Sequence, residues 1–363
     1  MTVPGVFRDC PGILQIVSGS FRGIRAGVNI PERQQRPGKE KSVIMENFRF
    51  AVMGAGNIAK KFCEAARLAG YEVAAAASKS EEKARRWAAA NGVKGAYGSY
   101  EEMLIKERPD CVYIATTPDS HHALAMLCLE HGIPVLVEKA AFLNSAQAQE
   151  VFSRSEKEGI FVMEALWSRF LPAVKKAREW IGSGYVGKPS FAQIDIGFIA
   201  PPDAGNRYRN PKLGGGAAFD ITVYAYEIAR FLLGQENSLQ ASAVWGPTGV
   251  DVTDHVLLQY PELCASLTAS FDAALEERAV IYGDRGKIVI PHPHYASEAY
   301  FYPADGTGAL HFEDRETENG FVYEIRETVS CIRAGKTESR TVPHSLTLDC
   351  ARLFDRIYDS LRV

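Results

Sequence analysis

The chain has 363 residues, of which 46% are hydrophobic and 23% charged. Those values are ordinary for a soluble globular protein, supply a sizeable core and exclude disorder across most of the chain, and the length favours about two domains. Forty-one Lys and Arg against 44 Asp and Glu leave a net charge of −3, which excludes a nucleic-acid surface as the main business because neutralising phosphates takes clustered cations.

Residues 1–44 carry seven Arg and Lys against three acids, with scattered Gly and Pro and no sustained period of 3.6 or 2. They read as a poorly ordered extension, or an upstream start ahead of Met45, and not as a packed domain. The apolar stretch Ile13–Val17 is too short for a secretory signal.

From Phe48 the pattern becomes regular. Strands are expected at Phe48–Met53, Glu72–Ala77, Cys111–Ala115 and Pro134–Val137. Helices are expected at Asn57–Ala69, Glu81–Ala90, Tyr100–Lys106, Ser120–His131 and Ala146–Glu158. Strands apolar on both faces that alternate with helices predict a doubly wound parallel sheet covered on both sides, an α/β Rossmann domain over 46–165. After about residue 165 the period changes to 2, as in Ile194, Ile196 and Phe198 or Leu267, Ala269 and Phe271. Further strands fit Val256–Tyr260, Arg278–Tyr282 and Lys287–Ile290. Helices fit Phe219–Leu233, Phe321–Arg333 and Leu346–Leu361. Residues 166–363 therefore read as an α+β domain with a largely antiparallel open sheet.

Gly54, Ala55, Gly56, Asn57, Ile58 and Ala59 form a G-x-G-x-x-A that follows a strand and opens a helix. Gly54 permits the tight turn, Gly56 lets backbone approach a pyrophosphate, and Ala59 lets helix and strand pack closely. The helix N-terminus then offers N–H groups and positive dipole to phosphates. The second strand ends in Ser78-Lys79-Ser80, with no carboxylate at the tip to take a ribose 2′-hydroxyl. A Lys beside two hydroxyls suits a 2′-phosphate, so NADP is favoured and NAD remains possible; a solvated loop Lys is the alternative.

Glu138 and Lys139 abut the buried strand Val135–Val137, at the end where such sheets hold ligands. Lys139 either binds a substrate hydroxyl or points to water. The run Gly214-Gly-Gly216-Ala-Ala-Phe-Asp220-Ile-Thr-Val-Tyr224 places Asp220 and Tyr224 at i and i+4 on one helix face. They can bind a polyol and move a proton, or be a cap and a core residue. His121 and His122 follow Thr116, Thr117 and Pro118 at a helix start, where one can lie beside a cofactor. His292 and His294 have metal-like spacing without further ligands nearby, and read as a loop feature with no metal. Trp167 and Arg169 stand at the domain junction, where Arg169 binds substrate or locks the hinge. Seven cysteines without a C-x-x-C pair argue against a disulfide framework or zinc site, and for free thiols in a reducing cytoplasm. No window of 18 apolar residues is present, so no membrane span is expected.

Taken in order, these segments resemble the glucose–fructose oxidoreductase / inositol dehydrogenase family, Gfo/Idh/MocA, from about Phe48 to the C-terminus. The carriers are the GAGNIA turn, Ala115-Thr-Thr-Pro118 with His121 behind it, and Glu138-Lys139, where the family usually shows Glu-Lys-Pro and this chain has Ala140. Glu164-Ala-Leu-Trp-Ser-Arg-Phe-Leu-Pro172, the Asp220–Tyr224 segment, Phe321-Val-Tyr-Glu-Ile and Cys331-Ile-Arg-Ala-Gly-Lys336 are similar to its dihydrodiol dehydrogenase / NADP-dependent xylose dehydrogenase branch. The resemblance implies hydride transfer between NAD(P) and a carbinol carbon of a sugar, polyol or diol. It implies cofactor contacts from Gly54–Ala59, Ser78, Lys79, Thr116, Thr117, Pro118, His121, Glu138 and Lys139. Substrate contacts would come from Lys139, Trp167, Arg169, Asp220 and Tyr224. Lys139 and Asp220 then assist, and Tyr224 is the acid/base, its phenol made easier to ionise by the neighbouring ammonium. A homodimer or higher homo-oligomer through the open sheet is implied as well. Relatives that use bound NAD in a lyase, hydrolase or epimerase cycle, and non-catalytic sensors, are the rival readings.

Overall fold

A computed structural model describes residues 48–359. The expectation for residues 1–44 lies outside the described residues. Among those described, no helix is long and apolar enough to cross a membrane.

Two sheets organise the chain. The first holds β1 (Arg49–Met53), β2 (Glu72–Ala77), β3 (Gly95–Tyr97), β4 (Cys111–Ile114), β5 (Val135–Val137) and β6 (Val162–Glu164) in the order β3-β2-β1-β4-β5-β6, all parallel. Its helices are α1 (Asn57–Leu68), α2 (Glu81–Ala90), α3 (Tyr100–Glu107), α4 (His121–Glu130) and α5 (Ser145–Glu158). Helix α1 buries Ala59, Phe62, Cys63, Ala65 and Ala66, a stripe at i, i+3, i+4 spacing that faces the sheet. Phe62 stacks on Tyr113 of β4 with ring centroids 3.9 Å apart. The order reverses between β1 and β4, which opens a crevice at the carboxyl ends of the strands.

The chain then runs through α6 (Pro172–Gly182) into an eight-stranded sheet. Its strands are β7 (Pro189–Gly197), β8 (Ser238–Trp245), β9 (Asp251–Gln259), β10 (Cys264–Ser270), β11 (Arg278–Gly283), β12 (Gly286–Pro291), β13 (Glu298–Pro303) and β14 (Leu310–Glu313). The order is β14-β13-β12-β11-β7-β10-β9-β8, antiparallel except where β7 meets β10. Helix α7 (Val223–Leu233) lies between β7 and β8 in sequence and packs against β7 and β10. The last two helices, α8 (Phe321–Arg333) and α9 (His344–Asp359), return to the first layer, against α1 and α5. Val162 N–H donates to the Thr337 carbonyl at 3.0 Å, which ties that return to β6.

Two local readings change. The helix expected from Phe219 begins as a π turn over Ala218–Thr222 before α7. Its cause is on β9: the Asp251 carboxylate accepts the Ala218 N–H at 2.5 Å, and Asp254 accepts the Thr222 hydroxyl at 2.6 Å. Such π turns concentrate at functional sites.

Arg169 is the second correction. Its guanidinium is buried beneath α7, 3.8 Å from the Glu227 carboxylate and 4.7 Å from the Phe231 ring centre. Its side chain is 9% exposed and held by these contacts, so it belongs to the packing of the junction and not to a substrate surface. Burial pushes the Glu227 carboxyl up to about 8, against the pull of Arg169 and the Ser168 hydroxyl. Replacing Arg169 with Leu leaves that carboxyl without its cation. A carboxyl near 8 is largely protonated at neutral pH, so the expected loss there is about 1–3 kcal/mol of unfolding free energy in denaturant titration, with the substrate KM unchanged. A raised KM at full stability would return Arg169 to the cleft.

Candidate active site

The crevice is a cleft of about 750 Å³, a size that takes a drug-sized or larger ligand. Gly54, Ala55, Gly56, Asn57 and Ile58 form one wall. Gly54 has φ of +109°, and a Cβ there would stand 2.6 Å from the Ala115 carbonyl oxygen, so only glycine fits between β1 and β4. At Gly56 a Cβ would meet nothing within 4 Å; its place is open cleft, free for a ligand to approach the backbone. No side chain caps the N-terminus of α1, so the first-turn N–H groups stay free for an anion. Ala59 is fully buried behind this wall. These features fit a dinucleotide pyrophosphate.

At the far end of the same cleft lie Ser78, Lys79, Ser80, Lys83 and Tyr100. The Ser80 hydroxyl accepts the Lys83 N–H at 3.3 Å and caps α2. Lys79 and Lys83 thus flank a capped helix start. Lys83 was absent from the sequence reading, although its i+4 spacing from Lys79 was a usable signal.

Thr116, Thr117 and Pro118 line the wall after β4. His121 does not. It is fully buried, its Nδ1 is 2.9 Å from the Ala140 carbonyl oxygen and its Nε2 is 3.1 Å from that of Thr116. The ring is wedged between these two carbonyl oxygens, and as a neutral imidazole it donates to one of them only; fully buried there, His121 braces the cleft and offers no ring edge to a cofactor. His122 is engaged at the surface with Glu150 at 2.9 Å.

The chemistry converges at the end of β5. Glu138 is buried and takes the Tyr113 hydroxyl on one oxygen and the Lys139 backbone N–H, at 3.2 Å, on the other. Burial raises its carboxyl, while Tyr113 and Lys139 pull the other way. Lys139 Nζ donates to the Asp220 carbonyl oxygen at 2.6 Å and to Asp220 Oδ1 at 2.8 Å. An ammonium has three donors, so one is left for a ligand. The peptide between Lys139 and Ala140 is cis. Arg207 also reaches Asp220 Oδ1, at 3.3 Å. Burial alone would raise the Asp220 carboxyl, but Lys139 and Arg207 together hold it below its ordinary value.

Tyr224 lies beside this pair. Its ring centre is 4.8 Å from Lys139 Nζ, and its hydroxyl oxygen accepts the Trp167 indole N–H at 3.0 Å. Trp167 itself packs edge-on against Phe321. The ammonium therefore faces the ring and not the hydroxyl. Burial pushes the phenol well above its ordinary value, Glu138 adds to that shift, and the Trp167 hydrogen bond opposes it. This reverses the expectation that Lys139 makes the phenol easier to ionise: desolvation and the nearby acids outweigh a cation placed over the ring face. Among the described residues no group of three or more His, Cys, Asp or Glu is placed to hold a metal. Arg207 and Glu324, a buried acid on α8 whose carboxyl oxygens have no hydrogen-bond partner, were not singled out from the sequence. Nothing local marks either, since both reach the site only through the fold.

Comparison with known proteins gives the family and the class of reaction. A family model described as oxidoreductase family, NAD-binding Rossmann fold, matches residues 48–166. The GFO/IDH/MocA C-terminal domain model matches residues 174–289. The trans-1,2-dihydrobenzene-1,2-diol dehydrogenase of Mus musculus is 31% identical over 309 residues, covering 81% of this chain and 91% of that protein. The Homo sapiens protein of the same name is 30% identical over 307 residues, covering 81% and 90%. Among solved structures, levoglucosan dehydrogenase in complex with NADH and levoglucosan superposes with a TM-score of 0.79 at 19% identity, covering 87% of this chain and 98% of that one. Over two-thirds of the chain thus aligns with curated dehydrogenases, and the two family models match residues 48–166 and 174–289. The chain belongs to the Gfo/Idh/MocA oxidoreductase family and is an NAD(P)-dependent dehydrogenase.

Proposed function

We propose that the chain interconverts an alcohol and a carbonyl on a sugar, polyol or diol, with NADP as the preferred cofactor, residues 46–165 holding the cofactor and 166–363 shaping the substrate site. The observation that carries this is the convergence of Lys139, Asp220 and Tyr224 at the end of β5, beside a cleft built for a dinucleotide. Bound there, the nicotinamide supplies or accepts the hydride. The remaining work falls to the chain. Asp220 fixes the Lys139 ammonium, whose third N–H orients the substrate oxygen. The Trp167 N–H occupies one lone pair of the Tyr224 oxygen, which leaves the phenol proton to be shared with that substrate oxygen. Because burial keeps the phenol protonated, its proton is in place at neutral pH for carbonyl reduction, though held by a weaker acid than a free tyrosine. In the oxidising direction the phenolate must form first, so oxidation gains with rising pH.

The preference for NADP is supported by Lys79 and Lys83 at the cleft end where a ribose would lie, with no carboxylate among the cleft residues there. A second copy of the chain is the proposed partner for the open face of the large sheet. There Cys264, Phe191, Tyr282, Lys287 and Tyr302 align across five strands, with Phe191 37% and Tyr302 39% exposed. The described cysteines are all free thiols, most of them buried, which supports placing the protein in the cytoplasm.

Four measurements test the proposal. Tyr224→Phe should cut turnover by about 10² or more with cofactor binding nearly intact. Lys139→Ala should cost comparably, and the double variant little more than either. In the parent, kcat/KM for oxidation should climb steadily with pH from neutrality into the alkaline range, and that slope should vanish in Tyr224→Phe. Parent-like rate and pH profile in Tyr224→Phe would remove the phenol from the chemistry. Lys79→Asp should weaken NADP by about tenfold to a hundredfold relative to NAD; equal affinity of the parent for both would end the NADP assignment. Phe191→Arg should convert a sedimenting dimer to monomers, and a parent that sediments as a monomer would refute the pairing.

A further inference from the structure

The connection from β7 to the π turn carries into the cleft a cation that the proposed chemistry leaves unused. Arg207 lines the cleft together with Lys139 and Asp220, and its side chain is 55% exposed. It is held from behind. Its guanidinium lies over the Tyr208 ring, 4.2 Å from the ring centre, and that ring is braced by Phe198 and Phe271 with centres 5.3 Å away in each case. Arg209 is buried and fixes the same loop, donating to the Pro201 carbonyl oxygen at 3.1 Å and to Asp272 at 2.7 Å. A guanidinium has five N–H donors in a planar fork. Asp220 takes one of them, at 3.3 Å. Allowing the Tyr208 hydroxyl another, three are left for a ligand in the cleft.

We propose that Arg207 receives a carboxylate of the substrate, so that the site takes a sugar or polyol acid, with the reacting oxygen at Lys139 and Tyr224 and the acid group at Arg207. The inference rests on the proposed alcohol chemistry and narrows its substrate to hydroxy acids and their carbonyl counterparts. The charges fit. Lys139 and Arg207 both lean on Oδ1 of Asp220, at 2.8 and 3.3 Å, and one carboxylate shared between two cations neutralises one of them. Glu138, the other acid lining this end, is buried and engaged by the Tyr113 hydroxyl and the Lys139 backbone N–H. The reach fits as well. Two nitrogens hung on one oxygen are at most about 6 Å apart, so a reacting oxygen and a carboxylate a few bonds away in one small molecule meet both. A planar fork pairs with a flat carboxylate through two parallel hydrogen bonds. The phosphates of the cofactor have the Gly54–Ile58 wall and Lys79 at other parts of the cleft. In reduction the carbonyl carbon takes the hydride and its oxygen the Tyr224 proton, and the carboxylate passes through unchanged.

The experiment compares D-glucuronate, D-glucose and D-xylose, which share one pyranose ring and differ in carrying a carboxylate, a hydroxymethyl group or a hydrogen beside the ring oxygen. Each is tested on the full chain with NADP, for the parent, Arg207→Met and Arg207→Lys. In the parent, kcat/KM should be highest for glucuronate. In Arg207→Met it should fall about tenfold to a hundredfold further for glucuronate than for glucose or xylose, mostly in KM, with the cofactor Kd unchanged. Arg207→Lys, which keeps the charge and loses the fork, should recover part of it. An equal loss on all three sugars, or none on any, overturns the assignment, because loosening Asp220 and Lys139 does not distinguish what stands beside the ring oxygen. A weakened cofactor Kd with no dependence on the sugar gives Arg207 to a cofactor phosphate and overturns it too. Should the parent turn over none of the three, the alcohol reading itself has failed, and the binding step is read instead. A thermal shift on adding glucuronate to the cofactor complex, absent with glucose and lost in Arg207→Met, supports Arg207 as the carboxylate receptor. A shift unchanged by the substitution, or no shift in the parent, overturns it.

Discussion

The ion pair between Lys139 and Asp220 is the constraint on which the site depends. Its partners are 81 residues apart in sequence. One closes a strand of the parallel sheet, and the other rides on a π turn packed against the second sheet. Both side chains are about 15% exposed or less. A buried ion pair is weak grounds for stability, because desolvation offsets much of the attraction. What it supplies is position. It holds the ammonium over the Tyr224 ring, leaves one N–H unspent, and sets the spacing between the dinucleotide turn and the second layer.

The π turn is in turn held from below. Asp251 and Asp254 stand three residues apart on β9 and grip the turn at Ala218 and Thr222, either side of Asp220. Tyr358 of α9 donates to Asp251 at 2.7 Å. Burial raises both carboxyls, and the charge of Asp251 raises Asp254 further, so like charges this close favour a shared proton. The last helix of the chain thereby reaches the site without touching the cleft.

The electrostatics of Tyr224 follow from the same packing. Glu138, Asp220 and Glu324 all act on it in one direction, and desolvation acts with them. The lone counterweight among the leading influences is a hydrogen bond from Trp167. Distance alone would make Lys139 dominant, but its charge is spent on Asp220 and presented to the π face. A residue pair that looks like a base and its activating cation is, in three dimensions, a protonated phenol beside a neutralised ion pair.

Much of the architecture was legible in order along the chain. The G-x-G-x-x-A turn, the alternation of apolar strands with helices, and the change to period 2 after residue 165 are local properties, and local sterics and burial suffice to set them. Strands β3, β6, β8, β13 and β14 were not read: β3, β6 and β14 are short and lack the all-apolar run that marks β5, β8 has Ala241 and Ala243 among its inward positions, and β13 mixes acid and tyrosine with its apolar residues. The candidate residues Lys139, Asp220 and Tyr224 were also visible, as charges and a phenol placed oddly beside glycine and strand ends. Their relation was not. That Arg169 is packed away, that His121 is buried against the Ala140 carbonyl, and that His294 lies against Tyr224 depend on contacts across 19 to 70 residues of chain. So does the sign of the Tyr224 shift, since a pKa is set by burial and by the direction of neighbouring charges. Sequence determines which groups are present and which backbone they stand on; only the closing of the two sheets decides how far each group is from water and from the others.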